Sequence, residues 1–188
     1  MNNRELSDLL VSWISLSAAF AYVLPVFSSI GFAGALAIAA IAVGTGFLIH
    51  ELAHKYVAIH FGAKAEFRAW TLGLAFAVVV AVLARFIFAA PGAVYIYGKH
   101  LTLRENGIIS LAGPAANVVI GVVSFAVAGL SGSTQIALIG GIVGNINLYL
   151  AMFNLLPLFI LDGAKVFAWN KLVWAAFFFP LAGILFFF

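Results

Sequence analysis

The chain has 188 residues, of which 65% are hydrophobic and only 8% charged; its mean hydropathy is +1.19 and its formal net charge is +3. Soluble domains are about half apolar and about a quarter charged, so this composition excludes an ordinary soluble protein and predicts a single integral membrane domain over residues 1–188. The basic residues are dispersed, which argues against nucleic acid as a partner. The absence of cysteine excludes disulfides, thiol nucleophiles and thiolate metal ligands.

Long apolar segments predict an all-α polytopic membrane protein with about five to six transmembrane helices. The five predicted full crossings are 9–27, 32–60, 107–130, 135–156 and 172–188. An insertion over about 67–98 separates the second span from the third. Its apolar stretch 72–90 is interrupted by Arg85, and residues 93–97 then predict a strand by their β-branched and aromatic content.

The second span carries an H-E-x-x-H motif, formed by His50, Glu51 and His54, after the uncharged residues 31–49. On a helix, positions i and i+4 lie on one face, so both imidazoles can reach one metal ion while Glu51 addresses a water bound to it. The alternative is a chance pair of histidines satisfied by the glutamate. Ionisable groups at membrane depth are costly and usually functional, which favours a metal site.

Three segments together resemble the signatures of a known family. They are His50-Glu51-x-x-His54, Ala112-Gly113-Pro114-x-x-Asn117 and Asn154-x-x-Pro157-x-x-x-x-Asp162-Gly163. In order and spacing they are similar to those of the site-2 protease family, which are intramembrane zinc metalloproteases, here in a compact form without PDZ or CBS domains. The match covers roughly residues 40–165, with the core at 31–165.

The resemblance implies an intramembrane zinc endopeptidase that hydrolyses transmembrane-helix proteins. One Zn²⁺ per chain would be held by His50, His54 and Asp162, which is also the only acidic residue after Glu105. A catalytic zinc takes three protein ligands and leaves a position for water, and Glu51 would act as the general base.

Further residues are expected around the metal. Asn154 matches the family position that hydrogen-bonds the substrate or the developing oxyanion, and a helix–helix hydrogen bond is an equal alternative. Asn117 is expected to support a metal ligand or a neighbouring helix. Val94, Tyr95 and Ile96 are expected to bind an unwound substrate by strand addition, although an ordinary hairpin capping the helices would leave the same pattern.

Chain parity and charge predict the topology. For His50 and Asp162 to meet, the chain must cross the membrane an even number of times between them, so stretch 72–90 is predicted to return to its own side as a re-entrant element. All nine Lys and Arg residues would then lie on the side of the motif. The positive-inside rule makes this the cytoplasmic side, with the cell membrane as the expected location.

Two other functions remain open at this point. A metal-ion transporter or metal-binding membrane protein could use the same ligands, but no chain of acidic or histidine residues leads across the membrane. A non-catalytic helix-binding scaffold would have no need of Glu51 beside the metal.

Overall fold

The computed structural model describes residues 1–24, 27–87, 91–158 and 160–187. Its elements are α1 (Asn3–Val23), α2 (Phe27–Val43), a π-helical turn (Gly44–Leu48), α3 (Ile49–His60), β1 (Lys64–Ala69), α4 (Thr71–Ala84), β2 (Gly92–Tyr97), α5 (Leu103–Leu130), α6 (Thr134–Asn154), α7 (Asp162–Trp169) and α8 (Lys171–Phe187). The protein is therefore an all-α polytopic membrane protein with one small sheet, as the composition predicts.

Among the described residues, four helical segments are long and apolar enough to cross a membrane: Asn3–Val23, Ser28–His60, Leu103–Leu130 and Thr134–Asn154. They correspond to the first four predicted spans. The fifth is confirmed as the apolar helix α8, but with 17 residues it is shorter, and its crossing stays a prediction. The turn predicted at 28–31 is a break within α2, where Gly31 has φ 70°.

The first helix begins at Asn3 rather than at the predicted Leu9, and a buried ion pair explains the extension. Asn2 caps the helix by accepting a hydrogen bond from the Glu5 N–H at 2.8 Å. The buried Glu5 carboxylate accepts bonds from Lys55 Nζ at 2.6 and 2.7 Å and from the Phe67 N–H at 3.1 Å. This pair ties α1 to α3 and β1 at the motif end of the bundle.

The predicted strand is confirmed as β2, and it pairs with a second strand, β1, that was not predicted. β1 and β2 are antiparallel, with register from Lys64↔Tyr97 to Ala69↔Gly92. Lys64, Glu66 and Arg68 place charge at alternate positions of β1, while Ala65 and Phe67 are buried. This alternation of charged and buried residues is the pattern of a half-buried strand, so the sequence does carry a signal for β1.

The stretch between β1 and β2 begins and ends at the same end of the helix bundle. The Trp70 N–H donates to the Pro91 carbonyl at 2.8 Å, so both ends of the stretch lie at the same end of the bundle. The re-entrant course expected for 72–90 agrees with this geometry, although Phe88, Ala89 and Ala90 lie outside the described residues.

The expectation that all basic residues share the motif side is wrong for Arg85. Its guanidinium lies 4.8 Å from the centre of the Tyr22 ring, and Nη1 is 3.5 Å from the Tyr22 carbonyl oxygen. Tyr22 lies about 26 Å further along α1 than Glu5, at 1.5 Å per residue. Helix α4 therefore reaches the opposite end of α1 before the chain returns, and it carries Arg85 with it.

Candidate metal centre

Three potential ligand atoms converge between α3 and the start of α7. His50 Nε2 and His54 Nε2 are 3.0 Å apart, and Asp162 Oδ2 lies 3.3 Å from the first and 3.0 Å from the second. Both histidines are buried, with 4% and 6% of their surface exposed. Together with Asp162, the two histidines form the only group of three His, Cys, Asp or Glu side chains close enough to share one metal ion in the described part of the chain.

Contacts at Nδ1 determine the tautomer of both imidazoles. His54 Nδ1 lies 2.7 Å from the Ile109 carbonyl oxygen, which can only accept, so Nδ1 carries the proton. His50 Nδ1 lies 3.3 Å from Asn117 Oδ1 and is held in the same tautomer. Both Nε2 atoms therefore direct lone pairs at each other and at Asp162, as metal-binding histidines oriented by outer partners do.

Lone pairs this close repel one another unless a cation lies between them. Bonds of about 2.0–2.2 Å to tetrahedral zinc place its ligand atoms about 3.3 Å apart, close to the 3.0–3.3 Å separations found here. Two nitrogens and one carboxylate oxygen are the donor types of catalytic zinc sites, which keep a fourth position for water. The residues present fit this metal.

Helix α5 packs closely against the two histidines at Gly113. A Cβ on Gly113 would lie 2.4 Å from His54 Nε2 and 2.6 Å from His50 Nε2, so only glycine leaves room for the ligands. Pro114 follows it inside the helix and has no N–H to offer the Ser110 carbonyl. One turn away, the Ile109 carbonyl accepts the bond from His54.

Close packing of the start of α7 against the end of α6 places Asp162 at the metal centre. A Cβ on Gly163 would stand 2.1 Å from the Leu155 carbonyl oxygen, so glycine is required there for the helix to begin at Asp162.

The predicted base lies in the same cavity as the ligands. The cavity has a volume of about 130 Å³, and Glu51 contributes to its wall while remaining 9% exposed. Its other polar wall residues include Asn106, Ser110, Asn154 and Lys165, and its apolar wall includes Leu16, Phe47, Val94, Ile96, Ile109 and Leu150. A π-helical turn precedes α3 here; its Gly46 also lines the cavity, and such turns are frequent at functional sites.

The structure places some of the other predicted site residues at the cavity and others away from it. Asn154, Val94 and Ile96 line the cavity, and Asn117 contacts His50 as expected. Tyr95 does not line it, because alternate side chains of β2 face opposite ways and this one is 63% exposed. The side-chain bond found for Asn154 lies within its own helix, where Nδ2 donates to the Leu150 carbonyl at 3.0 Å, and its bond to a substrate stays a prediction.

Sequence reasoning missed several cavity residues. Lys165 lines the wall beside Asp162, three positions further along α7, a spacing that places both side chains on one helical face. The Ile109 carbonyl is a backbone group and leaves no side-chain signal. Asn106 and Ser110 precede the Gly113 segment on α5 at positions that reach the cavity.

Comparison with known proteins decides the family. The chain is 43% identical over 183 residues to the protein named "Putative zinc metalloprotease MJ0611" of Methanocaldococcus jannaschii, covering 97% of this chain and 93% of that protein. The chain belongs to this family of zinc metalloproteases. No family model matches it, and no solved structure does.

For a zinc metalloprotease, the centre contains the parts that the chemistry requires. His50, His54 and Asp162 could hold a metal ion, and Glu51 lies beside them in the wall of the same cavity. The outer contacts from Asn117 and Ile109 orient the imidazoles. The metalloprotease is built into a membrane-spanning scaffold, since both histidines lie on the segment Ser28–His60.

Proposed function

We propose that this zinc metalloprotease is an intramembrane endopeptidase of the site-2 type, which hydrolyses peptide bonds in or near transmembrane segments of other membrane proteins. The observation that carries the proposal is the position of the centre. Both histidines and Glu51 belong to a helix long enough to span a membrane, and their cavity is walled by residues of α1, α5 and α6, which are also long enough. A substrate that reaches this cavity is itself within or next to the bilayer.

The chain's own groups supply the proton transfers of hydrolysis. Zinc, when bound, acts as a Lewis acid that makes water a stronger acid and polarises a carbonyl group. Glu51 accepts the proton of the attacking water as the water oxygen bonds to the peptide carbon. It then passes that proton to the nitrogen as the carbon–nitrogen bond breaks.

Strand β2 supports a mode of substrate binding. β1 pairs with one edge of β2, and no described strand pairs with the other edge, while Val94 and Ile96 face the cavity. A transmembrane helix bonds its own carbonyls and must unwind before hydrolysis. Strand addition to β2 would pair the exposed backbone in a dry setting.

The orientation belongs to the proposal as well. Lys55, Lys99 and Lys165 lie at the motif end of the bundle, by their contacts with Glu5, the Phe61 carbonyl and Asp162. The positive-inside rule supports placing this end in the cytoplasm, with the cell membrane as the site of action.

The decisive experiment compares the purified protein with Glu51→Gln on a membrane-embedded helical substrate in proteoliposomes. We expect bound zinc at about one per chain in both, and a loss of cleavage of at least about 10³-fold in the variant, because the base is removed and the ligands are kept. Glu66→Gln, at a half-exposed position on β1, is the matched control and should retain activity.

Cleavage that survives Glu51→Gln would contradict the proposal. A metal-ion transporter would instead move zinc into the vesicles whether or not Glu51 is present, and the same proteoliposomes can be tested for this with a zinc-sensitive dye. The described residues contain no second three-ligand group that could form a path for the ion.

A further inference from the structure

The cavity has one cationic side chain among its described lining residues, and the reaction outlined above does not use it. Lys165 lies on α7, with its Nζ 3.9 Å from Asp162 Oδ1. Asp162 directs its other oxygen, Oδ2, at the two histidines. The Asp162 carboxylate therefore lies between the ammonium group and the two histidines. The lysine side chain also borders the cavity.

The contact with Asp162 does not occupy the ammonium donors. A separation of 3.9 Å exceeds hydrogen-bond length, and no shorter polar contact of Lys165 is found among the described residues. The side chain is 44% exposed, so it can move toward a bound peptide without breaking a packed structure. Its three N–H groups are available to a ligand in the cavity.

We infer that Lys165 is a catalytic residue of this centre, which donates a hydrogen bond to the oxygen of the scissile carbonyl as that oxygen becomes an oxyanion; the inference rests on the proposed proteolysis. In this step the water oxygen bonds to the carbonyl carbon, the π electron pair moves onto the carbonyl oxygen, and Glu51 holds the water proton. When the carbon–nitrogen bond breaks, the pair returns to the carbonyl and the proton goes to the amine. Lys165 keeps its proton throughout.

Asn154 is the other side-chain donor considered for this oxygen, and its geometry favours a shared role. Its Nδ2 already donates to the Leu150 carbonyl at 3.0 Å, which leaves one N–H for the substrate. A positive charge stabilises a full oxyanion more strongly than a neutral amide does. The two donors would approach the oxygen from α6 and α7.

The test compares Lys165→Met and Lys165→Arg with the wild-type protein in proteoliposomes. We expect Lys165→Met to lower kcat by about 100- to 1000-fold with little change in KM, as loss of one oxyanion donor does. Lys165→Arg should keep most of the activity, because the charge and the donors remain. Lys171→Met, which removes a lysine over the Phe167 ring outside the cavity, is the matched control and should leave kcat unchanged.

Two measurements besides turnover separate catalysis from support of the ligand. Zinc affinity, measured by chelator competition, should be the same within about twofold in all variants, because Lys165 is not a ligand. A phosphinic peptide, whose anionic tetrahedral group imitates the intermediate, should bind Lys165→Met more weakly by the same factor as the loss in kcat. Weakened zinc binding that accounts for the loss would make Lys165 a positioning residue and overturn the inference.

Other outcomes are also decisive. An unchanged kcat in Lys165→Met, or a change confined to KM, overturns the inference and leaves the proposed proteolysis intact. If the wild-type protein, with zinc bound, does not cleave, the proposed function itself fails and the inference fails with it.

Discussion

Gly113 and His54 stand so close that a single methyl group cannot be placed between them: a Cβ on the glycine would lie 2.4 Å from His54 Nε2. The same atom would lie 2.6 Å from His50 Nε2. The glycine is on α5 and the histidines are on α3, so the close approach of two membrane helices shapes the metal site. This contact gives the first prediction.

Gly113→Ala should reduce zinc affinity by at least about 100-fold, because the ligands must move or the helices must separate. Gly129→Ala is the matched control, since it lies on the same helix and its Cβ would meet nothing within 4 Å. Zinc bound at defined free zinc concentrations, with helical content by circular dichroism, measures the effect. Equal zinc affinity in the two variants would contradict the assigned geometry.

Asn117→Ala should weaken zinc binding by about 10- to 100-fold, the usual effect of removing a partner that orients a metal-binding histidine. The variant leaves His50 Nδ1 without its 3.3 Å contact and so frees the ring to rotate or to change tautomer. Asn145→Ala removes an asparagine that bonds only within α6 and faces outward, and it should bind zinc as the wild type does. Chelator competition compares the two.

Glu5→Gln should destabilise the fold by about 3–5 kcal/mol, because Lys55 would be left charged and buried without its counterion. Adding Lys55→Met should recover much of this loss, since the unpaired charge is then removed. Asp8→Asn, which removes a half-exposed pair with Arg68, should cost less than about 1 kcal/mol. Unfolding in mixed micelles of mild detergent and SDS gives these free energies; equal losses for Glu5→Gln and Asp8→Asn would argue against the buried pair.

The two faces of β2 should differ in their effect on cleavage. Ile96→Ala should raise KM several-fold because the side chain lines the cavity, whereas Tyr95→Ala, on the opposite face, should not. Val94→Pro should abolish productive binding if substrate pairs with this strand, because proline cannot donate to an added strand. Steady-state kinetics on one membrane substrate checks all three, and unchanged kinetics in a folded Val94→Pro variant would remove strand addition from the proposal.

The course of α4 can be tested by labelling single cysteines, since the chain has none of its own. Phe86→Cys, next to Arg85, should react with an impermeant thiol reagent from the same face as Ser133→Cys. Tyr97→Cys should react from the other face. If Phe86 and Tyr97 are labelled from one face, the reach of α4 to the far end of α1 is contradicted.

The sequence alone determined the membrane class, the main spans and the three candidate ligands, which the fold brings together. Apolar length is a local property, and so is the i, i+4 spacing of His50 and His54 on one helix face. The third ligand lies far away in sequence, but Asp162 could be chosen because few acidic residues exist in the chain.

What only the tertiary structure decided depends on contacts between distant segments. The pairing of β1 with β2 joins segments on either side of α4, and the buried pair of Glu5 and Lys55 joins residues on different helices. Arg85 was assigned to the wrong end because charge statistics favour one side, whereas the packing of α4 along α1 places it beside Tyr22. Lys165 lies at the site because the helical spacing of α7 places it on the same face as Asp162. Gly113 is required because the histidines of α3 fill the space where a side chain would be.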